Sequence, residues 1–498
     1  MPRFRFVLSA LSIVSLSLLT LSTGIADEFV IRMSNGKETI QARLAGQARG
    51  VLALELPNGE LLLTPQQNLV SRKPGDDPPP VTHQEMVEQL TERFGENRFR
   101  ATISEPFVFG VVLMGDLNKK EEIRLTNFME KAVRYMQGMQ NAFDRFADDL
   151  QIELTDSRFP LVVLIFESDD DFERYATEAT GQSGIGQISL AGFYSKLTNW
   201  LAIRLTECDS FSTPLHEAIH QQVYNRGLYP RLAPVPLWFD EGIATGFGGK
   251  GDRISKGPGV VIPEQARRCV ATKQLSWDEM MEQDAAFHSN TIVGEAYANA
   301  WGLHWLLVTR YKKEYSNYLN YLKSLPMLTE VDAQERQSQF RKAFGKDLKE
   351  MYQEFQKALP TAMRRARVSL QEQKTVGRFT EQVALGVIDI QAVARMDRGG
   401  FVEVNGQMKN VSPFRDLAFY VRVLTGTGRY EDWVFPNVRS GGTKRMDKKI
   451  LSKVIPGASG GISGTFLVRA KSAPINSDTA KAWQRGSSPD FGIRVAPQ

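Results

Sequence analysis

Ser212-Thr213-Pro214-Leu215-His216-Glu217-Ala218-Ile219-His220-Gln221-Gln222-Val223 is the stretch on which the reading of this chain turns. Thr213 is a good helix N-cap, and Pro214 suits the first helical position, where its missing N–H would have no partner anyway. The spacing therefore predicts a helix that begins just before His216. At 3.6 residues per turn, His216 and His220 stand about 40° apart around the axis. Both imidazoles project from one face and can close on one cation. Glu217 lies about 100° round from His216, placed to touch a water on that cation and badly placed to be a third ligand beside both histidines. The chain has only five histidines in 498 residues, so composition alone seldom produces this pairing. The competing reading is an ordinary amphipathic helix that carries two histidines.

A metal centre needs a further ligand, and Pro236-Leu237-Trp238-Phe239-Asp240-Glu241-Gly242-Ile243-Ala244 follows. Glu241 lies 21 positions after His220, with apolar and aromatic neighbours that carry the acidic pair toward a core. Two histidines and a glutamate, with a fourth position open, form a catalytic zinc set. Asp240 is the alternative ligand.

The combination of His-Glu-Ala-Ile-His with Trp-Phe-Asp-Glu-Gly-Ile-Ala resembles the gluzincin group of zinc metallopeptidases, and most closely the peptidase-MA-like domains of exported bacterial proteins. The resemblance is strongest over residues 190–310 and extends over 83–370. It implies that His216, His220 and Glu241 hold Zn2+, with Glu217 as general base toward a water that attacks a peptide carbonyl. It also implies an oxyanion donor from the following helical region, for which Tyr297 is the first candidate and His288 the second. His304, between Trp301 and Trp305, reads as a packed helix residue. A substrate strand would pair along Ala191 to Tyr194 or Trp200 to Ile203. The Gly-x-Met-Glu-Asn motif of gluzincin aminopeptidases is absent, which counts against that cleavage mode. Val223 and Arg226 stand where a metzincin would have its Gly and third His.

The rest of the chain frames this site. Residues 1–26 read as a signal peptide: Arg3 and Arg5, an apolar run from Phe6 to Leu21, and Gly24-Ile25-Ala26 before cleavage. That run is short of the roughly 18 residues of a spanning helix, so the expectation is a secreted or periplasmic protein with no membrane span after cleavage. Residues 27–72 are predicted to form a small β-barrel (SH3-like) module, with Asn35-Gly36 and Asn58-Gly59 as turns. Residues 73–82 hold four prolines within 73–80 and read as a stiff linker. Residues 83–370 carry strands first and helices later, the order of an α+β domain. Pro160 to Glu167, with the continuous apolar run Leu161 to Phe166, reads as a buried strand. Residues 376–498 read as a β-sandwich module.

The predicted fold is thus an α+β zincin-like metallopeptidase core with an N-terminal small β-barrel module and a C-terminal β-sandwich module. The predicted function is an exported zinc-dependent peptidase acting on a protein or peptide substrate. The alternative is a catalytically inactive, metallopeptidase-like envelope or extracellular binding protein. A third reading, hydrolysis of a non-protein amide, shares the same site.

Charge adds limits. With 61 Lys+Arg against 57 Asp+Glu, the net charge of +4 gives no support for a nucleic-acid binder. Residues 376–498 carry 18 Lys+Arg against 10 Asp+Glu, densest at Lys444, Arg445, Lys448 and Lys449. That cluster is either a solvated loop or a face for an anionic surface of the envelope or extracellular space. Asn410-Val411-Ser412 matches a glycosylation sequon. Cys208 and Cys269 either pair or remain two free thiols.

Overall fold

The computed structural model describes residues 27–33, 36–180, 191–209, 212–249, 253–271, 275–282, 284–289, 291–369, 378–395, 401–424, 430–453 and 467–491. The signal-peptide reading of 1–26 and Asn35 of the first Asn-Gly turn lie outside the described residues.

Six short strands open the described residues: β1 (Glu28–Met33), β2 (Gly36–Gln41), β3 (Arg43–Ala48), β4 (Val51–Glu55), β5 (Leu61–Pro65) and β6 (Leu69–Lys73). They do not close into one barrel. They form two three-stranded antiparallel sheets, β2-β1-β6 and β3-β4-β5. The break falls at Ala42, which is fully buried between β2 and β3. Register shifts at Val30/Ile31 and at Leu44/Gly46 bend the strands on either side of it. Phe29, Ile31, Ala42, Leu52 and Leu54 form the shared core. Gly59 supplies the positive φ of the Asn58-Gly59 turn, at +87°. The proline-rich segment after β6 is no free spacer. Asp76 O accepts from Asp27 N–H at 2.9 Å, and Val81 N–H donates to Pro57 O at 2.9 Å.

The core opens with α1 (His83–Phe94), started by a Thr82/Glu85 capping box. Then come β7 (Phe99–Ser104), β8 (Phe107–Val112), the long α2 (Lys119–Asp149), β9 (Leu161–Phe166), α3 (Asp169–Thr180), β10 (Gly192–Tyr194) and β11 (Leu201–Arg204). The five strands make one sheet in the order β10-β11-β9-β8-β7. β9 runs parallel to β8 and β11, and the two outer strands are antiparallel to their neighbours. Being central, β9 is buried on both faces, which is why its sequence is apolar throughout. Leu161, Val163 and Ile165 face the main core with α2, while Val162, Leu164 and Phe166 pack with α1 and α3. The chain then turns helical: α4 (Ser212–Asn225), α5 (Leu237–Thr245), α6 (Pro263–Ala271), α7 (Trp277–Glu282), α8 (Val293–Arg310), α9 (Lys312–Lys323), α10 (Ala333–Phe344) and α11 (Leu348–Arg365).

The C-terminal region holds β12 (Arg378–Val383), β13 (Gly386–Arg395), β14 (Phe401–Asn410), β15 (Leu417–Leu424), β16 (Tyr430–Val438), β17 (Thr443–Lys453), β18 (Leu467–Pro474) and α12 (Asp478–Gln484). These strands form a four-stranded sheet, β12-β13-β14-β17, and a three-stranded sheet, β16-β15-β18. The sheets meet where Gly386 lies against both Met408 and Phe419. Half of the basic cluster is engaged within the module. Lys448 pairs with Glu403 at 2.8 Å, and Lys449 pairs with Glu431 at 3.5 Å and covers the Trp433 ring. The Asn410 sequon is closed: its side chain is fully buried, and Nδ2 donates to Arg415 O and Val438 O, each at 2.9 Å. Both cysteines are free thiols. Among the described residues no helix is long and apolar enough to cross a membrane.

Candidate metal centre

Helix α4 begins at Ser212, so Pro214 lies in its first turn. The cap assigned to Thr213 concerns a side chain outside the described residues. Leu215, Ala218, Ile219 and Val223 turn into the core. That leaves His216 and His220 side by side, with ring centroids 4.9 Å apart and planes at 78°.

Helix α5 reaches them because of one glycine. A Cβ on Gly242 would sit 2.4 Å from His304 Nδ1 and 2.7 Å from Ala300 O on α8. The missing side chain lets α5 lie directly on α8, and Glu241 then points across to α4. Asp284 Oδ1 accepts from Leu237 N–H at 3.1 Å and starts the helix, while Arg336 holds Asp284 with two hydrogen bonds of 3.1 Å. Gly242→Ala is therefore expected to destabilise the fold by about 1–3 kcal/mol through overpacking and to weaken metal binding by shifting Glu241. Thermal unfolding and a metal titration on the same variant check both effects.

His216, His220 and Glu241 converge. His216 Nε2 lies 2.9 Å from Glu241 Oε2 and 3.2 Å from His220 Nε2, and His220 Nε2 lies 3.4 Å from Glu241 Oε2. Tetrahedral zinc with bonds of ~2.0–2.1 Å holds its ligand atoms roughly 3.3 Å apart, so the triangle matches the base of such a polyhedron. His220 Nδ1 faces Asp240 Oδ1 at 3.1 Å. Donation of Nδ1–H to that carboxylate leaves the Nε2 lone pair for a metal. The donor set fits a divalent cation. Asp240, weighed above as a ligand, is instead the group behind His220. It lies against Nδ1, on the far side of the ring from the triangle.

Electrostatics follow this arrangement. Burial works to raise the Glu241 carboxyl, but the imidazoles of His220 and His216 outweigh it and hold the group at about 2. Burial works to lower His220, and the Asp240 and Glu241 carboxylates overcome it and hold the imidazole well above the ordinary histidine range. Burial pushes the Glu217 carboxyl up, with the two imidazoles pulling the other way. Glu217 Oε2 accepts from Tyr194 N–H on β10 at 3.0 Å, so the edge strand of the sheet orients it.

A cavity of about 410 Å³ opens onto this face, lined by His216, Glu217, Thr245, Arg268 and Tyr297 among others. The Tyr297 ring stands 5.8 Å from the His216 ring at 77°. Burial, then Glu241 and Glu217, raise its phenol, which keeps it a neutral donor. Of the sequence candidates, the structure thus brings together His216, Glu217, His220, Glu241 and Tyr297. His288 is exposed at the end of a 3-10 turn and does not line the cavity. His304 is fully buried beside Trp238 and Phe239, and burial lowers its imidazole to about 3. Sequence reasoning missed Lys196, Tyr224 and Tyr229, all of which hold Asp240. Only Tyr224 had a local signal, its i+4 spacing from His220.

Residues 210–328 match the model of a family described as a protein of unknown function (DUF1570). The matched span runs from the start of α4 past α9. It contains all three members of the triangle, Glu217 and Tyr297, and leaves both flanking β regions outside. No curated protein matches the chain.

Proposed function

We propose that this chain is an exported zinc-dependent peptidase with a zincin-like core. The observation that carries the reading is the His216–His220–Glu241 triangle, with His216 and the adjacent Glu217 carboxyl lining one cavity. His216, His220 and Glu241 would hold the ion, which would lower the pKa of a water and polarise the scissile carbonyl. Glu217 takes the proton from the attacking water and passes it to the leaving nitrogen as the C–N bond breaks, and its raised affinity for protons suits that task. Tyr297 donates to the carbonyl oxygen as charge builds there. β10 is the edge strand of the five-stranded sheet, and an extended peptide laid along it would pass beside Glu217. Export rests on the signal-like residues 1–26.

The test joins metal analysis to a cleavage assay. The purified protein is expected to hold about one zinc per chain, the complement of a His₂Glu site, and to cleave members of a peptide library in a chelator-sensitive way. Absence of stoichiometric metal overturns the reading. Bound zinc without cleavage of any peptide favours a binding protein built on an inactive peptidase core.

A further inference from the structure

Asp240 is the point at which the N-terminal region reaches the metal centre. Its buried carboxylate faces four donors: His220 Nδ1 at 3.1 Å, Lys196 Nζ at 3.0 Å, Tyr224 Oη at 2.5 Å and Tyr229 Oη at 3.0 Å. Tyr224 rides on α4, as His220 does. Lys196 and Tyr229 come from elsewhere, one from the turn between β10 and β11, the other from the segment after α4. Both backbones are fastened to the N-terminal region. Arg231, two residues beyond Tyr229, places Nη2 2.8 Å from Glu55 Oε1 on β4, and Nη1 2.8 Å from Gly59 O and 3.3 Å from Lys196 O. Leu61 N–H donates to Leu197 O at 2.7 Å. The Arg231 and Glu55 side chains are each only 8% exposed, so this is a buried, geometrically demanding pair. Gly59 seats the contact: a Cβ there would lie 3.0 Å from the Phe159 ring and 3.2 Å from Asn199 Nδ2.

We propose that the small N-terminal sheet β3-β4-β5 is a fixed part of the metal centre, and that Arg231 is the positioning residue that couples it to the site. By tying the 195–199 turn and the 229–231 segment to Glu55, Arg231 sets Lys196 and Tyr229 against Asp240. Asp240 in turn sets the imidazole of His220. Groups behind a metal-bound histidine change metal affinity by about 10–100-fold when altered. This inference rests on the metal reading of the site.

The test measures zinc affinity in the full chain by competition against a chromophoric chelator, for Glu55→Gln, Arg231→Gln and a control, Arg72→Gln. Arg72, on β6, pairs with Asp27 within the N-terminal region, in the other sheet from Glu55. Glu55→Gln keeps the size of the side chain and stands in if Arg231→Gln does not fold. Both pair variants are expected to weaken zinc by about tenfold, with the control unchanged at a temperature below its unfolding. Charge alone would act in opposite directions, since loss of a cation favours metal binding and loss of an anion disfavours it. Opposite shifts for the two variants, or no shift in either, overturn the proposal. Equal weakening in Arg72→Gln overturns it as well, by showing general loosening. If the wild type binds no zinc, the functional reading falls first. If it binds zinc and the pair variants match it, only the positioning role falls.

Discussion

Glu217→Gln is expected to slow peptide hydrolysis by about 10²–10⁴-fold, the range for loss of a general base, while the protein keeps its full zinc content. The amide is the same size as the carboxylate, and its oxygen can still accept from Tyr194 N–H, so the local fold survives. None of the three ligand atoms is touched. What is lost is a group able to take a proton. Burial has already raised the Glu217 carboxyl, so its proton affinity is better matched to neutral pH than that of an exposed glutamate. Rate and metal content measured on one preparation separate a missing base from a damaged metal site. Equal hydrolysis by variant and wild type would remove Glu217 from the mechanism.

Arg415→Met is expected to destabilise the protein by about 3–5 kcal/mol, the cost of stranding one member of a buried ion pair. Arg415 lies between β14 and β15 and reaches into the core domain. Its guanidinium grips both carboxylate oxygens of Glu167 just after β9, with Nη2 2.9 Å from Oε2. It also donates to Asp116 O at 2.9 Å and Gly115 O at 2.8 Å. The two side chains are 1% and 0% exposed. The pair thus locks the C-terminal sheets onto the ends of two core strands, and urea unfolding would read its loss. The effect has a pH signature. Burial raises the Glu167 carboxyl above its usual 4.5, and Arg415 and the Met114 N–H oppose that rise. Without the arginine the folded-state value climbs further. A group raised in the folded state stabilises below its unfolded value and loses that contribution as pH rises through the folded one. The deficit of Arg415→Met should therefore grow as pH rises above the usual carboxyl value of 4.5. A deficit independent of pH would mean that Glu167 is not the charge left behind.

Local chemistry carried much of this structure into the sequence. His216 and His220 share a face because helical period alone puts them there. Glu217 falls beside them for the same reason. Leu161 to Phe166 is legible as a buried strand because a strand buried on both faces cannot alternate. The Asn58-Gly59 turn is legible because a positive φ calls for glycine. These are interactions between residues a few positions apart, and spacing records them.

Relations between distant segments are another matter. Nothing in the order of residues says that the strands of 27–73 part into two sheets at Ala42, or that the linker of 73–82 lies against its neighbours. The choice between Asp240 and Glu241 as ligand depends on how α5 rests on α8, which a single absent Cβ at Gly242 allows. Lys196 and Tyr229 lie on opposite sides of α4 in the chain and meet only at one carboxylate, and Arg415 finds Glu167 across 248 positions. Periodicity places a side chain on its own element's surface. Only packing, set by the burial of whole faces at once, decides which surfaces touch.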